Sequence, residues 1–280
     1  MLRLAHHLHD CRTAGHAGAV LAGDVLAVRY GTFESTRSEM FYRYHAYGEA
    51  DGPIRLDYFF WLLRRDDGII LVDTGFDPSA GARRGRTCLV EPTEALAGLG
   101  VAPEQVGTVV VSHLHYDHIG NLAAFPDAVI SVQRREFEFW TGPYGRRRQF
   151  VSSSEADEIA YLEQAEQEGR VQLLDGDAEI APGVVAVLVG GHCPGQQIVV
   201  VEAPSGRVVL ASDALHFYEE MERDMPFAVL SSLPDTYRAY DVLRQLEGDG
   251  ALLVAGHDPL VMDRFPSAGG PRSDLAVRLG

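Results

Sequence analysis

Six consecutive residues, His113-Leu114-His115-Tyr116-Asp117-His118, carry four side chains able to bind a metal ion, and they directly follow the apolar run Val109-Val110-Val111. His113 and His115 are two apart, so in an extended segment they project to the same side and can hold one ion. Asp117 and His118 come after the chain turns, which frees them to face a second ion. One hexapeptide cannot close two coordination shells, so the reading requires further ligands downstream. The chain supplies three, each after an apolar run: His192 after Val184 to Val189, Asp213 after Val208-Val209-Leu210-Ala211-Ser212, and His257 after Leu252-Leu253-Val254-Ala255-Gly256. Two cations in such a centre can lower the pKa of a shared water toward neutrality and present hydroxide to a polarised carbonyl. Hydrolysis of an ester-like bond is the expected outcome, with no activated Ser or Cys nucleophile.

These groups share one structural address, the carboxyl end of a buried strand, so the elements around them must be strands feeding loops. Val20 to Arg29 and Leu56 to Leu63 read as early strands. The turn Asp66-Asp67-Gly68 joins the second to Ile69 to Val72 as a hairpin. Pro92 to about Gly100 reads as a helix with Thr93 as its N-cap, Thr108 to Val111 as the strand that delivers the metal loop, and Val129 to Val132 as the next. Alternating strands and helices imply an α/β layered fold with the helices outside. Between Arg134 and Gly169 the rhythm changes. A helix from Arg134 to Trp140 is followed by the turn-rich Thr141-Gly142-Pro143-Tyr144-Gly145 and a second helix from about Glu155 to Glu168, with Ser154 as its cap. Asp235 to Leu246 reads as an amphipathic helix packed on the core. After Phe265 a Gly/Pro/Ser-rich linker leads to a short terminal segment, Asp274 to Leu279.

The HxHxDH pattern followed by a distal His, an Asp and a last His resembles the metallo-beta-lactamase superfamily of hydrolases. The likeness runs from about Leu56 to about Phe265 and includes Ile69-Ile70-Leu71-Val72-Asp73-Thr74-Gly75. It implies a four-layer αβ/βα sandwich, one domain over residues 1–280 with an active-site-covering insertion at about 134–169. It assigns His113, His115 and His192 to one ion and Asp117, His118 and His257 to the other, with Asp213 bridging. Five imidazoles and two carboxylates without a thiolate suit zinc best, though manganese, iron or cobalt would fit the same shell.

An Asp at position 213 disfavours beta-lactam hydrolysis. Leu71 to Gly75, Gly256-His257-Asp258 and the chain length look most like the N-acyl homoserine lactonase group, whose resemblance implies opening of a lactone to a hydroxy acid. Asp117, Asp213 and His216 are the expected catalytic residues, with Asp213 carrying a proton to the leaving group. One departure stands out: that group commonly has Tyr three residues after the bridging Asp, where this chain reads Asp213-Ala214-Leu215-His216. Either His216 takes over as donor to the substrate carbonyl, or the substrate is another lactone, a cyclic amide or an aryl ester. A glyoxalase II-like thioesterase would share all seven ligands, although no C-terminal helical substrate domain is evident. A mono-iron oxygenase on the same fold would load a single metal.

Composition narrows the partners. A formal net charge of -16 argues against nucleic acid, whose phosphates need a basic face. No stretch approaches the roughly 20 apolar residues that cross a bilayer, and the N-terminus lacks signal-peptide order, so no membrane partner and a cytoplasmic location are expected. A small-molecule substrate and, by family resemblance, a homodimer complete the expectation. Cys11, Cys88 and Cys193 show no paired spacing, which argues against a disulfide framework. Arg134, Arg135, Arg146, Arg147 and Arg148 either steer an anionic substrate to the metals or form a solvated face. Met40-Phe41-Tyr42-Arg43-Tyr44 either lines a substrate pocket or anchors a loop into the core. His6-His7-Leu8-His9 reads as a solvated terminus.

Overall fold

The computed structural model describes residues 23–270 and 274–280, so His6 to His9, Cys11 and the start of the run from Val20 lie outside the described residues. Two sheets build the frame. In the first, β1 (Asp24–Thr36), β2 (Pro53–Arg65) and β3 (Gly68–Val72) are antiparallel neighbours, and the short β4 (Thr87–Cys88) pairs with β1. The sheet continues from β3 with parallel β5 (Val106–Val110), β6 (Val129–Gln133) and β7 (Val171–Leu174). In the second, β8 (Ala178–Ala181), β9 (Val184–Leu188), β10 (Gln197–Ala203) and β11 (Gly206–Leu210) are antiparallel in sequence, and β12 (Leu252–Val254) joins β11 in parallel. The terminal β13 (Ala276–Arg278) returns to the first sheet beside β1, so the segment after Phe265 closes a sheet edge.

Strand alternation divides the core in two. In β2, Tyr58, Phe60 and Leu62 point into one apolar cluster, and Phe59, Trp61 and Leu63 into the other. The first cluster is covered by helices, with Ala95 and Leu96 from Pro92–Gly98, Trp140 from Arg134–Thr141 and Leu162 from Ala156–Gln167. The second joins the two sheets, where Val25, Trp61 and Ile70 share a cluster with Val199, Val201 and Val209, and it includes Tyr240 and Leu243 of the helix Leu233–Gly248. Each fully buried Leu or Phe contributes about 2 kcal/mol of apolar transfer. The result is a four-layer sandwich of helix, sheet, sheet and helix.

Local details depart from expectation at several ends. β1 runs on to Thr36 because a bulge between Arg29 and Gly31 resets its register, after which Glu34 to Thr36 pair with Arg55 to Pro53. A Cβ at Gly31 would stand 2.8 Å from the Phe76 ring, so the bulge needs glycine. Thr93 is not the N-cap of its helix: Pro92 occupies the first turn, its fixed φ starts the helix, and Glu91 precedes it. Ser154 does not cap the next long helix either. Glu155 takes that position and turns its carboxylate to Arg83 and Arg84 instead. Among the described residues, no helix is long and apolar enough to cross a membrane.

Candidate metal centre

Five loops leave the carboxyl ends of strands and meet at one place. They follow β3, β5, β9, β11 and β12, and they carry Asp73, the segment His113 to His118, His192, Asp213 and His257. Two non-glycine residues there hold a strained positive φ, Asp73 (φ 62) and Ser212 (φ 46), and Gly190 (φ 68) and Gly191 (φ 96) adopt the same region without that cost. At Gly191 a Cβ would fall 2.8 Å from the Thr236 backbone, so only glycine lets the His192 loop close on the helix Leu233–Gly248.

The geometry centres on Asp213. Its Oδ1 lies 3.2 Å from His118 Nε2 and 3.1 Å from His257 Nε2, while Oδ2 lies 3.3 Å from His192 Nε2 and 3.8 Å from His113 Nε2. Asp117 Oδ2 stands 3.8 Å from His118 Nε2 and 4.0 Å from His257 Nε2. His115 Nδ1 comes within 2.9 Å of His192 Nε2. All seven residues expected as ligands are buried and brought together here.

Each ring is aimed by its other nitrogen. The Nδ1–H of His192 donates to Val229 O at 2.8 Å and that of His257 to Asp57 O at 3.0 Å. His118 Nδ1 donates to Asp73 Oδ2 at 2.7 Å. Ser112 gives its hydroxyl hydrogen to Asp73, so its oxygen accepts from His113 Nδ1 at 3.0 Å. His115 alone is reversed, with Nδ1 inward and Nε2 3.3 Å from Cys193 Sγ. This arrangement leaves His113 Nε2 and His118 Nε2 buried without a hydrogen-bond partner. These orphaned imidazole nitrogens, and a further pair 2.9 Å apart in His115 and His192, fit cation binding. The donor set of nitrogen and carboxylate oxygen suits zinc and its neighbours.

Protonation at His113, His115, His192 and Asp213 agrees with that fit. Burial pushes His113 and His192 well below their ordinary range, and it takes His115 to about 4. Burial alone would raise Asp213, yet the His257, His118 and His216 imidazoles hold it well below the usual carboxylate range. Neutral imidazoles beside an ionised carboxylate are the forms that bind metals. Burial opposes protonation of His118 as well, but there Asp213, Asp73 and Asp117 prevail and hold it high.

His216 stands inside the same centre. Its ring stacks on Phe227 with centroids 3.6 Å apart, its Nε2 lies 3.0 Å from Asp213 Oδ2, and its Nδ1 lies 3.3 Å from Glu220. Neither nitrogen meets a partner in hydrogen-bond geometry. Burial opposes its protonation, but Asp213 and Glu220 outweigh that and raise it to about 9.

A cavity of about 410 Å³ opens over the centre, lined by His115, Asp117, His192, Asp213, His216 and His257 together with Phe33, Met40, Leu56 and Tyr58. Met40 reaches this cavity while Phe41 and Tyr44 are buried in the core, so that aromatic segment does both jobs. The basic run does not reach it. Arg134 pairs with Asp175, and Arg135, Arg146, Arg147 and Arg148 are exposed. The arginines on the cavity wall are Arg84 and Arg86, and Ser152 and Ser153 are what the segment 134–169 contributes.

Sequence reasoning missed the residues that aim the ligands. Asp73 had a visible signal, an acid at the end of the buried run Ile69 to Val72, the same address as Asp213. Glu136 had none, because it sits among polar neighbours on a helix. Its buried carboxylate accepts from Leu114 N at 3.0 Å, Trp140 Nε1 at 2.7 Å and Gly195 N at 2.7 Å, tying two ligand loops together.

Known proteins resemble this chain. The family profile described as Metallo-beta-lactamase superfamily matches residues 54–257. An N-acyl homoserine lactonase from Bacillus cereus is 31% identical over 223 residues, 73% of this chain and 82% of that protein. Another from a Bacillus species is 32% identical over 216 residues, 71% of this chain and 80% of that protein. The crystal structure of a quorum-quenching N-acyl homoserine lactone lactonase superposes with a TM-score of 0.71 at 24% identity, covering 86% of this chain and 95% of that one. The profile match and these relatives show that this chain belongs to the metallo-beta-lactamase superfamily.

Proposed function

We propose that this chain is a dinuclear metal-dependent hydrolase that opens a lactone, an N-acyl homoserine lactone or a related cyclic ester, to the hydroxy acid. The observation that carries the reading is Asp213, whose two oxygens part the imidazoles into two sets. His113, His115 and His192 would hold one cation with Oδ2, and Asp117, His118 and His257 the other with Oδ1. Zinc is the metal the donor set favours. The named activity of the curated relatives supports a lactone over a thioester.

Bound divalent cations would polarise the ester carbonyl and acidify a water enough to attack it near neutral pH. Asp213, kept ionised by its neighbours, can take the proton from the attacking water and return it to the ring oxygen as that oxygen leaves. His216 Nε2, beside Asp213 on the cavity wall, is the nearest candidate donor to the substrate carbonyl. Phe33, Met40, Leu56 and Tyr58 form the apolar side along which an acyl chain would lie, and the segment 134–169 borders the mouth through Ser152 and Ser153. The reading includes a single domain, a cytoplasmic location and a homodimer.

The test is turnover of purified protein on a panel of acyl homoserine lactones, aryl lactones and a glutathione thioester. Ring opening of a lactone is expected, and hydrolysis of the thioester alone would overturn the reading. His216→Phe should keep its metals and lose about 100-fold in kcat. Full turnover in that variant would remove His216 from the chemistry.

A further inference from the structure

Arg86 is a half-buried guanidinium on the cavity wall, in a chain where acids outnumber bases 40 to 24. Half-buried arginines elsewhere meet carboxylates, as Arg29 does Asp57 and Arg37 does Glu219. Arg84, on the same wall, is paired with Glu155. Among the described residues, no carboxylate lies within 4.0 Å of Arg86. Burial opposes its charge and Asp117 favours it only from beyond that distance, so the guanidinium can still take a counter-charge in direct contact.

The side chain is also fixed in place. Its guanidinium lies 3.8 Å over the Phe33 ring, Nε donates to Tyr116 Oη at 3.1 Å, and Nη1 donates to Arg84 O at 2.6 Å. Those bonds take up two nitrogens, and Nη2 is left without an acceptor among the described residues. Tyr116 precedes Asp117, so the fork is anchored directly to the segment that carries the metal-binding groups. Glu39 also borders the cavity, but it is exposed and accepts from Ser35 at 2.6 Å. A fixed guanidinium with Nη2 left over, set beside an aromatic ring, matches a carboxylate on a bound ligand.

We propose that Arg86 is a specificity-determining residue that binds a carboxylate on the substrate, so that the preferred substrates are lactones or cyclic esters whose substituent ends in a free acid. This rests on the hydrolase reading of the cavity and adds the substrate class to it.

The test compares a lactone whose acyl chain ends in a carboxylate with the same lactone ending in a neutral carboxamide, on metal-loaded wild type, Arg86→Met and Arg86→Lys. Wild type is expected to favour the acid at least 10-fold in kcat/KM, chiefly through KM. The ratio should collapse to within about 2-fold in Arg86→Met, which keeps the apolar contact with Phe33, and Arg86→Lys should keep part of it through charge alone. An absent preference in wild type, or one that survives in Arg86→Met, overturns the proposal. If neither lactone opens, the lactonase reading fails separately. Calorimetry then decides on Arg86: α,ω-dicarboxylates should bind wild type about 10-fold more tightly than their monoamides, and equal binding refutes the site.

Discussion

Glu136 is the residue whose loss should separate the centre from its support. It is fully buried, it accepts hydrogen bonds from Leu114 N, Trp140 Nε1 and Gly195 N, and it takes a fourth contact from the Cys193 thiol. Leu114 lies between His113 and His115, and Gly195 closes the loop of His192, so one carboxylate holds three of the proposed ligands in register. There is no slack for relaxation, because a Cβ on Gly195 would already stand 2.4 Å from the Glu136 Cβ. In Glu136→Gln the new amide must turn its NH₂ toward at least one N–H donor, and each buried donor left unsatisfied costs about 1–3 kcal/mol. A loss of about 2 kcal/mol in urea unfolding is expected, and Glu136→Ala, which strands three donors, should lose on the order of 5 kcal/mol. Metal affinity, read by competition with a chromophoric chelator, should fall about 10-fold or more in the Gln variant. Wild-type stability and wild-type metal affinity in Glu136→Gln would refute the reasoning. A stability loss with unchanged affinity would restrict Glu136 to the fold.

Asp73→Asn should fold, since Asn tolerates the positive φ at that position, yet it should hold metal about 10-fold or more less tightly because its amide faces the donors His118 Nδ1 and Ser112 Oγ; equal affinity in chelator competition would contradict this. Gly120→Ala would place a Cβ 2.4 Å from Asp77 N and 2.8 Å from Gly75 O, so about 3 kcal/mol of stability should be lost, read as a lower urea midpoint. Glu158 is raised to about 8 by burial and by the nearby Glu155 and Asp157. The folded state therefore binds more protons than the unfolded state between the unfolded value and that pH, and stability falls as pH rises through the window. Glu158→Gln should leave stability unchanged near pH 4 and gain on the order of 2 kcal/mol at pH 8.5, after allowance for solvent access; a gain that does not grow with pH would exclude this account.

The meeting of the seven candidate ligands was legible because they obey a simple rule. His192, Asp213 and His257 each follow an uninterrupted apolar run, and a polar residue at the end of a buried strand has few places to go but a shared edge. The strands themselves were legible for the same reason, although β1 was cut short at Arg29 because the bulge at Gly31 interrupts alternation without ending the strand. Helix starts were less so. Thr93 and Ser154 are good capping types, but the proline at 92 and the ion pairs of Glu155 decided the boundary, and these depend on what the terminus packs against. The basic run at 146–148 was conspicuous in sequence and lies on the surface, whereas Arg84 and Arg86, separated by one residue, reach the cavity because the turn after the helix Pro78–Arg83 aims them there. Support residues were hardest to read. Glu136 acts through bonds to backbone N–H groups 22 and 59 residues away, and nothing local announces such bonds.

In the proposed reaction Asp213 and its surrounding imidazoles would hold two ions that hydrolysis requires. The most direct measurement is metal titration of chelator-stripped protein, following bound metal per chain and lactone opening in the same samples. No turnover is expected without metal, and recovery should saturate at about two zinc ions per chain, with Asp213→Asn failing to retain the pair. Saturation at a single iron, or lactone opening that persists in the stripped protein, would contradict it.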